Sequence, residues 1–399
     1  MNKTIMFIGA GKYQAAGIRK AREMGLRIVA IDADPKAEGS LLADAFHAVD
    51  IKDVTSAIKI ARENRIDGVL TVASDIGVKT VAAVSDALGL PGISQEVADR
   101  STDKALMRRA FAAHGVPSPQ SFAVDQVAAL VECAEKIGFP VVVKPADSAG
   151  SRGVKLVNDE AGLKEAFEIA RGYSAKAKVV VEAFMHGVEV SVEAFVSRGE
   201  ISIVALSDKV RTAPPYLLDI DVIFPSAYPA DVQGRIIEVA RKAIRAIGIT
   251  MGPVHMELMM TPEGPVPVEL AARGPGFKVF TDMLPAVTGI DMLKALIQVS
   301  LGQEPVLERT ASRASALRFL SATDGIVTAV GGLDQARSRR GIYDADIYVR
   351  PGERVRALTC GSDRIGHIIA LADTRVQALA ALAAAEKDLW VTIEKGTAT

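Results

Sequence analysis

An α/β protein divided into more than one domain is predicted by three observations. The segments "TIMFIGAG", "YQAAGIRKAREMG" and "LRIVAIDAD" open the chain in the order strand, turn, helix, strand, the order of a parallel sheet with crossover helices. After Tyr173 the apolar period changes to two, as antiparallel strands require. The length of 399 residues, with 49% hydrophobic and 24% charged, suffices for a large core and usually divides into two or three domains.

Composition narrows the function classes. A net charge of −1 provides no basic field to gather nucleic acid or an acidic membrane, so a small-molecule partner is expected. Cys133 and Cys360 form neither a disulfide framework nor a zinc pattern. No apolar run approaches the ~20 residues of a spanning helix, and the opening apolar stretch is too short for a signal core, so a cytoplasmic location is expected.

The N-terminal unit covers residues 1–95, its later part being "VTSAIKIARENR" leading to "IDGVLTVAS". Its turn holds Gly9 and Gly11, and Asp32 ends the second strand about 20 residues on, a partial dinucleotide fingerprint. Gln14 stands where the third glycine belongs, and any tight strand-to-helix turn needs glycine. A nicotinamide-linked oxidoreductase is therefore carried as an alternative. After the linker "LGLPGIS", a helix starts beyond Thr102, its expected N-cap, and stops at Gly115 before Pro117. A helix with "LVECAEKIG", the strand "PVVVK", a small-residue loop and a further helix follow. "KVVVEAFMHGVEVSVEAFVSRGEISIVALSD" reads as successive antiparallel strands turning near Gly187 and at Arg198-Gly199. A helix "DVQGRIIEVARKAIRAIG", a hairpin "VHMELMMTPEGPVPVELAAR" and a mixed C-terminal segment complete the chain.

Two places carry chemistry. In "VVVKPADSAGSRGV" a strand ends at Lys144 and opens into a loop where Gly150 and Gly153 permit close backbone approach and Ser148 and Ser151 add hydroxyl donors. Such a loop can fold its amides around phosphate oxygens, or be a mobile surface turn. In the hairpin, a loop of Pro262, Glu263 and Gly264 sets Thr261 opposite Pro265 and hence Glu257 opposite Glu269. Facing carboxylates repel unless a cation lies between them, and hard oxygen ligands suit Mg²⁺; the alternative is a solvated acidic face.

Taken in order, "DKALMRRAF", "VVVKPADSAGSRGV", "VVVEAFMHGVEVSVEAF" and "VHMEL...VPVELAAR", after an N-terminal sheet unit, resemble the ATP-grasp superfamily over at least residues 1–300. The resemblance implies an ATP-grasp fold with a Rossmann-like domain at 1–100, an ATP-grasp domain at 101–305 whose lid subdomain covers about 115–185, and a small mixed α+β domain at 306–399. It makes the glycine-rich loop a lid over ATP phosphates, including Ser148, Gly150, Ser151 and Gly153. It places Lys104 and Lys144 on the phosphates, the backbone of Glu182 and Phe184 against adenine, and Glu189 on the ribose hydroxyls. Glu257 and Glu269 would carry Mg²⁺, or Mn²⁺ in its place, and Arg273 would face the transferred phosphoryl group. The family's usual asparagine, two residues after the second glutamate, is replaced by Ala271, and "GPGF" follows Arg273. That departure keeps a non-catalytic ATP-binding protein as an alternative.

The segments "LSDKVRTAPPYLLDIDVIFPS", "LRFL" and "GSDRIGHIIALADTR" look like the branch of L-amino acid ligases and related biotin carboxylase-like enzymes. The implied reaction is ATP-dependent formation of an amide or peptide bond through an acyl phosphate, on an amino acid or similar small carboxylate, by a homodimer. Lys209 to Pro225 would wall the substrate, where Asp219 and Asp221 either attract a cationic amine or are ordinary turn acids. His255 is either a proton carrier or structural.

Overall fold

A computed structural model describes residues 3–394. The strand Thr4–Ile8 is buried along its whole length, as a central parallel strand covered on both faces must be. It lies inside a four-stranded parallel sheet in the order Ala45–Ala48, Arg27–Asp32, Thr4–Ile8, Gly68–Leu70. The dinucleotide alternative fails at its turn. Asp32 accepts hydrogen bonds from the N–H groups of Ala10 (2.8 Å) and Asp34 (3.0 Å), so the carboxylate expected to hold a ribose instead ties down its own loop. Gln14 packs against Gly9 in the space beside that turn.

The second unit is an antiparallel sheet in the order Ser121–Val124, Val179–Ala183, Val141–Pro145, Lys155–Val157. Helices Val127–Ile137 and Leu163–Tyr173 cover it, and Leu130, Val143, Phe167 and Val181 form a core of its own. The glycine-rich loop joins its last two strands in space, Val141–Pro145 and Lys155–Val157. The preceding helix, Lys104–Ala113, is capped by Asp103, whose side chain accepts from Ala105 and Leu106; Thr102, the expected cap, ends the helix before it.

The third unit is an eight-stranded antiparallel sheet, in the order Gly264–Ala271, Gly252–Thr261, Val188–Ser197, Glu200–Arg211, Asp219–Phe224, Ala314–Leu320, Gly366–Ala372, Ile342–Ile347. Arg198 and Gly199, with φ of 50° and 81°, make the expected hairpin turn. Gly187 does not make one. It carries the chain from the lid sheet into the large sheet, where a Cβ would lie 2.2 Å from the Met260 carbonyl oxygen. The small C-terminal domain adds three of its strands to the same sheet through the pairing of Asp221 with Arg318. Helix Arg375–Glu386 and the small sheet Arg354–Val355, Gly325–Gly331, Trp390–Glu394 complete that end.

Period-two alternation in the large sheet positions the site. Val190, Val192, Val254, Met256 and Leu258 point under the helix Ala230–Ile247 with Ile236, Ala240 and Ile244. The intervening residues Glu189, Ser191, Glu193, His255 and Glu257 therefore emerge on the opposite face. Among the described residues, no single helix is long and apolar enough to cross a membrane.

Candidate active site

Two cavities open on the polar face of the large sheet. The first, beneath the lid, is lined by Lys104, Lys144, Ser148, Ser151, Glu182, Phe184, Glu189, Glu257 and Glu269. The second reaches toward the C-terminal strands and is lined by Gly150, Ser191, Glu193, His255, Arg273, Phe277, Phe319 and Arg364. Ser151, Asp219, Glu257 and Glu269 line both. Of the residues singled out in the sequence, Gly153 lines neither; with φ of 73° it packs so closely on Tyr173 that a Cβ would come within 2.8 Å of that ring.

Glu257 faces Glu269 in the hairpin, though by a different route from the one expected. The turn is tighter, with Thr261 paired to Gly264, and a bulge between Glu257 and Leu258 shifts the register back by one residue. Without that bulge the second glutamate would lie on the buried face. Ala271 lies opposite His255 and is buried.

Each carboxylate already has a cationic partner. Lys209, two strands over, contacts Glu257 and lies 3.0 Å from Glu189 and 2.9 Å from Asp219. Carboxylate oxygens of these three acids lie within 4.8 Å of one another, so the ammonium occupies the middle of a potential cation cradle. Burial and mutual repulsion with Glu257 and Asp219 push the Glu189 carboxyl up to about 7, against the pull of Lys209 and Arg211. Glu257 resists the same desolvation because Lys209 and His255 hold it well below the usual range. Glu269 instead pairs with Lys104 at 3.3 Å.

Several residues expected to meet the nucleotide have partners within the protein. Glu189 was expected to meet a ribose, but its oxygens receive Lys209 and Arg211 (2.7 Å). Phe184, expected to offer its backbone to adenine, donates its N–H to the Pro140 carbonyl at 3.2 Å. The next N–H, of Met185 on the same cavity wall, has no protein acceptor among the described residues. The Glu182 side chain is a buried counter-ion to Arg108 (2.7 Å) and Lys144 (2.5 Å), which outweigh desolvation and keep it ionised. Lys104 also donates to the Ser148 carbonyl at 2.7 Å, tying the helix start to the lid.

Arg273 is 9% exposed and is held by Asp75 at 2.8 Å, from the first turn of helix Asp75–Leu88. His255 lies 2.9 Å from Glu193 and 3.4 Å from Glu257, and despite burial these acids raise its pKa to about 9. The two acids thus favour its imidazolium form. The two wall acids separate in role. Asp221 receives Arg318 in a two-point contact at 2.8 and 2.6 Å and belongs to the sheet, whereas Asp219 lines both cavities. Lys209, Asp75 and Arg364 had no sequence signal of their own beyond Lys209 opening the wall segment.

The donor set fits a hard divalent cation in chemistry, since Glu189, Asp219 and Glu257 bring carboxylate oxygens within 4.8 Å of one another, while Glu269 borders both cavities but lies outside that cluster. Accommodating one requires Lys209 to yield its central place.

Comparison with known proteins agrees with this architecture. Residues 18–92 match the family model of the ATP-grasp N-terminal domain, 137–282 that of the ATP-grasp domain, and 318–394 that of the L-amino acid ligase C-terminal domain 2. The chain is 26% identical over 269 residues to alanine–anticapsin ligase of Bacillus subtilis (strain 168), covering 62% of this chain and 56% of that one. It is 28% identical over 335 residues to carnosine synthase 1 of Gallus gallus, covering 76% of this chain and 36% of the relative, so it spans less than two thirds of either protein. The crystal structure of L-amino acid ligase from Bacillus licheniformis superposes with a TM-score of 0.85 at 21% identity, covering 99% of both chains, a likeness of fold. With three domain models matched in succession, two of them of ATP-grasp, the chain belongs to the ATP-grasp superfamily.

Proposed function

We propose that this ligase joins the carboxylate of an amino acid or similar small acid to an amine, through an acyl phosphate made at the meeting of the two cavities. The observation that carries this reading is the shared wall: Ser151, Asp219, Glu257 and Glu269 border both a lid-covered cavity and a mixed polar and aromatic one. ATP lies in the first cavity, its adenine against the free Met185 N–H and its phosphates toward Lys104, Lys144 and the amides of the lid. The acid lies in the second. One of its oxygens attacks the γ-phosphorus as the bond to ADP breaks; the amine then attacks the acyl carbon, and inorganic phosphate leaves with the proton that the amine gives up.

Arg273 and cationic His255 stand where negative charge gathers, so stabilisation of that charge needs no nucleophilic side chain. His255 is therefore a charge stabiliser in this reading, and not the base that accepts the amine proton. Glu257 and Glu269 would hold Mg²⁺, which would supply further neutralisation of the phosphates.

The test is ATP-dependent phosphate release across pairs of amino acids, with hydroxylamine added in a parallel series to trap acyl phosphate as a hydroxamate. A hydroxamate with at least one acid supports the reading. ATP binding without release or hydroxamate for any acid would remove it.

A further inference from the structure

We propose that Glu193 accepts the proton given up by the amine as it attacks the acyl carbon. The proposal rests on the reading of the second cavity as the place of acyl transfer.

Four carboxylates border that cavity: Glu193, Asp219, Glu257 and Glu269. Three have ammonium partners, since Lys209 lies 2.9 Å from Asp219 and contacts Glu257, and Lys104 lies 3.3 Å from Glu269. Glu193 is different. Its Oε1 lies 2.9 Å from Nδ1 of His255, while its Oε2 is buried without a hydrogen-bond partner, the one carboxylate oxygen of which this is true among the described residues. The residue is 2% exposed, and Ser191, 1% exposed on the same strand face and the same cavity wall, also has an unpartnered hydroxyl. Buried acceptors without donors are costly in a low-dielectric interior. N–H groups of a substrate would complete both.

Position assigns the step. Glu193 borders the second cavity and not the lid-covered one, so it stands apart from the nucleotide phosphates and takes no part in phosphorylation. His255 links it to the shared wall, with Nε2 3.4 Å from Glu257. The imidazole also orients the carboxylate, as the third group of a catalytic constellation does. It does not take the proton itself, because Glu193 and Glu257 favour its protonated form.

The protons balance. The amine arrives neutral, having left its ammonium proton in solvent. When its nitrogen bonds the acyl carbon, one N–H bond must break before the amide forms, and Oε2 takes that proton. The resulting carboxylic acid gives it to an oxygen of the phosphate as the C–O bond breaks. Glu193 is restored to a carboxylate, and phosphate leaves with the proton.

The experiment uses wild type, Glu193→Gln and Glu193→Asp with an acid that wild type activates. Amide and ADP are measured with an amino acid as acceptor, and hydroxamate with hydroxylamine in its place. Hydroxylamine attacks acyl phosphates without help from a base, so hydroxamate reports the phosphorylation step alone. In Glu193→Gln, amide formation should fall by about 100-fold or more, the usual worth of a positioned base, while hydroxamate stays within about threefold. The amide-to-ADP ratio should fall with it, as acyl phosphate is lost to water. Glu193→Asp, which keeps a carboxylate, should exceed Glu193→Gln in amide formation by about tenfold or more. A merely structural role would not separate the two products.

Amide formation by Glu193→Gln at the wild-type rate overturns the proposal. So does a parallel loss of hydroxamate and amide in both variants. A loss of hydroxamate seen with an acid that carries an amino group, and spared with the same acid lacking it, also overturns it, because Glu193 would then hold the ammonium of the acid being activated. No hydroxamate from wild type with any acid would remove the ligase reading, and this assignment with it.

Discussion

Lys209 and Glu189 form a 3.0 Å ion pair in which each side chain is only 4% exposed, and the same ammonium also reaches Asp219 and Glu257. One internal cation thus offsets part of the negative charge of Glu189, Asp219 and Glu257 beside the proposed phosphate-transfer site. Removing it leaves buried negative charge uncompensated, which commonly costs about 3–5 kcal/mol. Lys209→Met should therefore melt well below wild type without metal, and saturating Mg²⁺ should raise its melting temperature more than that of wild type. Equal Mg²⁺ shifts in the two proteins would show that the cradle does not exchange ammonium for metal.

Glu269 has a milder structural part, since its partner Lys104 also bonds the Ser148 carbonyl. Glu269→Gln should change apo stability by no more than about 1 kcal/mol, because a partly exposed pair is lost and a like-charge contact with Glu257 relieved. Phosphate release should fall by at least ~100-fold if the residue holds the metal. Thermal melts and turnover on the same preparation decide between this and a purely structural glutamate, for which the variant would melt early and turn over normally.

For His255 the linkage has a definite sign. Glu193 and Glu257 raise its pKa from 6.5 to about 9, so the folded state binds the proton more tightly than the unfolded chain. The stabilisation, at most about 3 kcal/mol, is complete below pH ~6.5 and is lost as pH rises toward 9. Relative to His255→Gln, wild type should lose stability across that interval in chemical denaturation. Parallel stability curves from pH 6 to 9 would mean that the imidazole is not protonated in the fold.

Asp75 carries Arg273 from a different domain at 2.8 Å. Asp75→Asn should reduce phosphate release by about tenfold or more through misplacement of the guanidinium. ATP affinity should stay within error, since neither residue lines the lid-covered cavity. A parallel loss of ATP affinity, read by calorimetry, would place the pair in nucleotide binding instead.

The lid holds Gly150, Ser151 and Gly153 at φ of 71°, 56° and 73°. Such a backbone changes conformation at low cost around the glycines and can be ordered by phosphate charge. Amide exchange over Ser148–Gly153 should slow when Mg-ATP is added, and an unchanged rate at saturating nucleotide would argue for a fixed turn.

The sequence by itself determined the strand faces and the hairpin, because alternation in "VEVSVEAF" and "VHMEL" leaves one face apolar for a helix and the other polar. It also placed Glu257 opposite Glu269, although a tighter turn and a bulge, each one residue from the expected register, had to cancel. What only the tertiary structure decided is the partner of each charge. Asp75 meets Arg273 across 198 positions, and Arg364 meets the Asp219 carbonyl across 145. Local pattern records whether a side chain faces the core or the cavity, but long-range ion pairing depends on how separate sheets and domains close together. For the same reason Asp219 and Asp221, both acids of one short segment, diverged: the strand Ala314–Leu320 brought Arg318 onto Asp221 and left Asp219 facing the cavities.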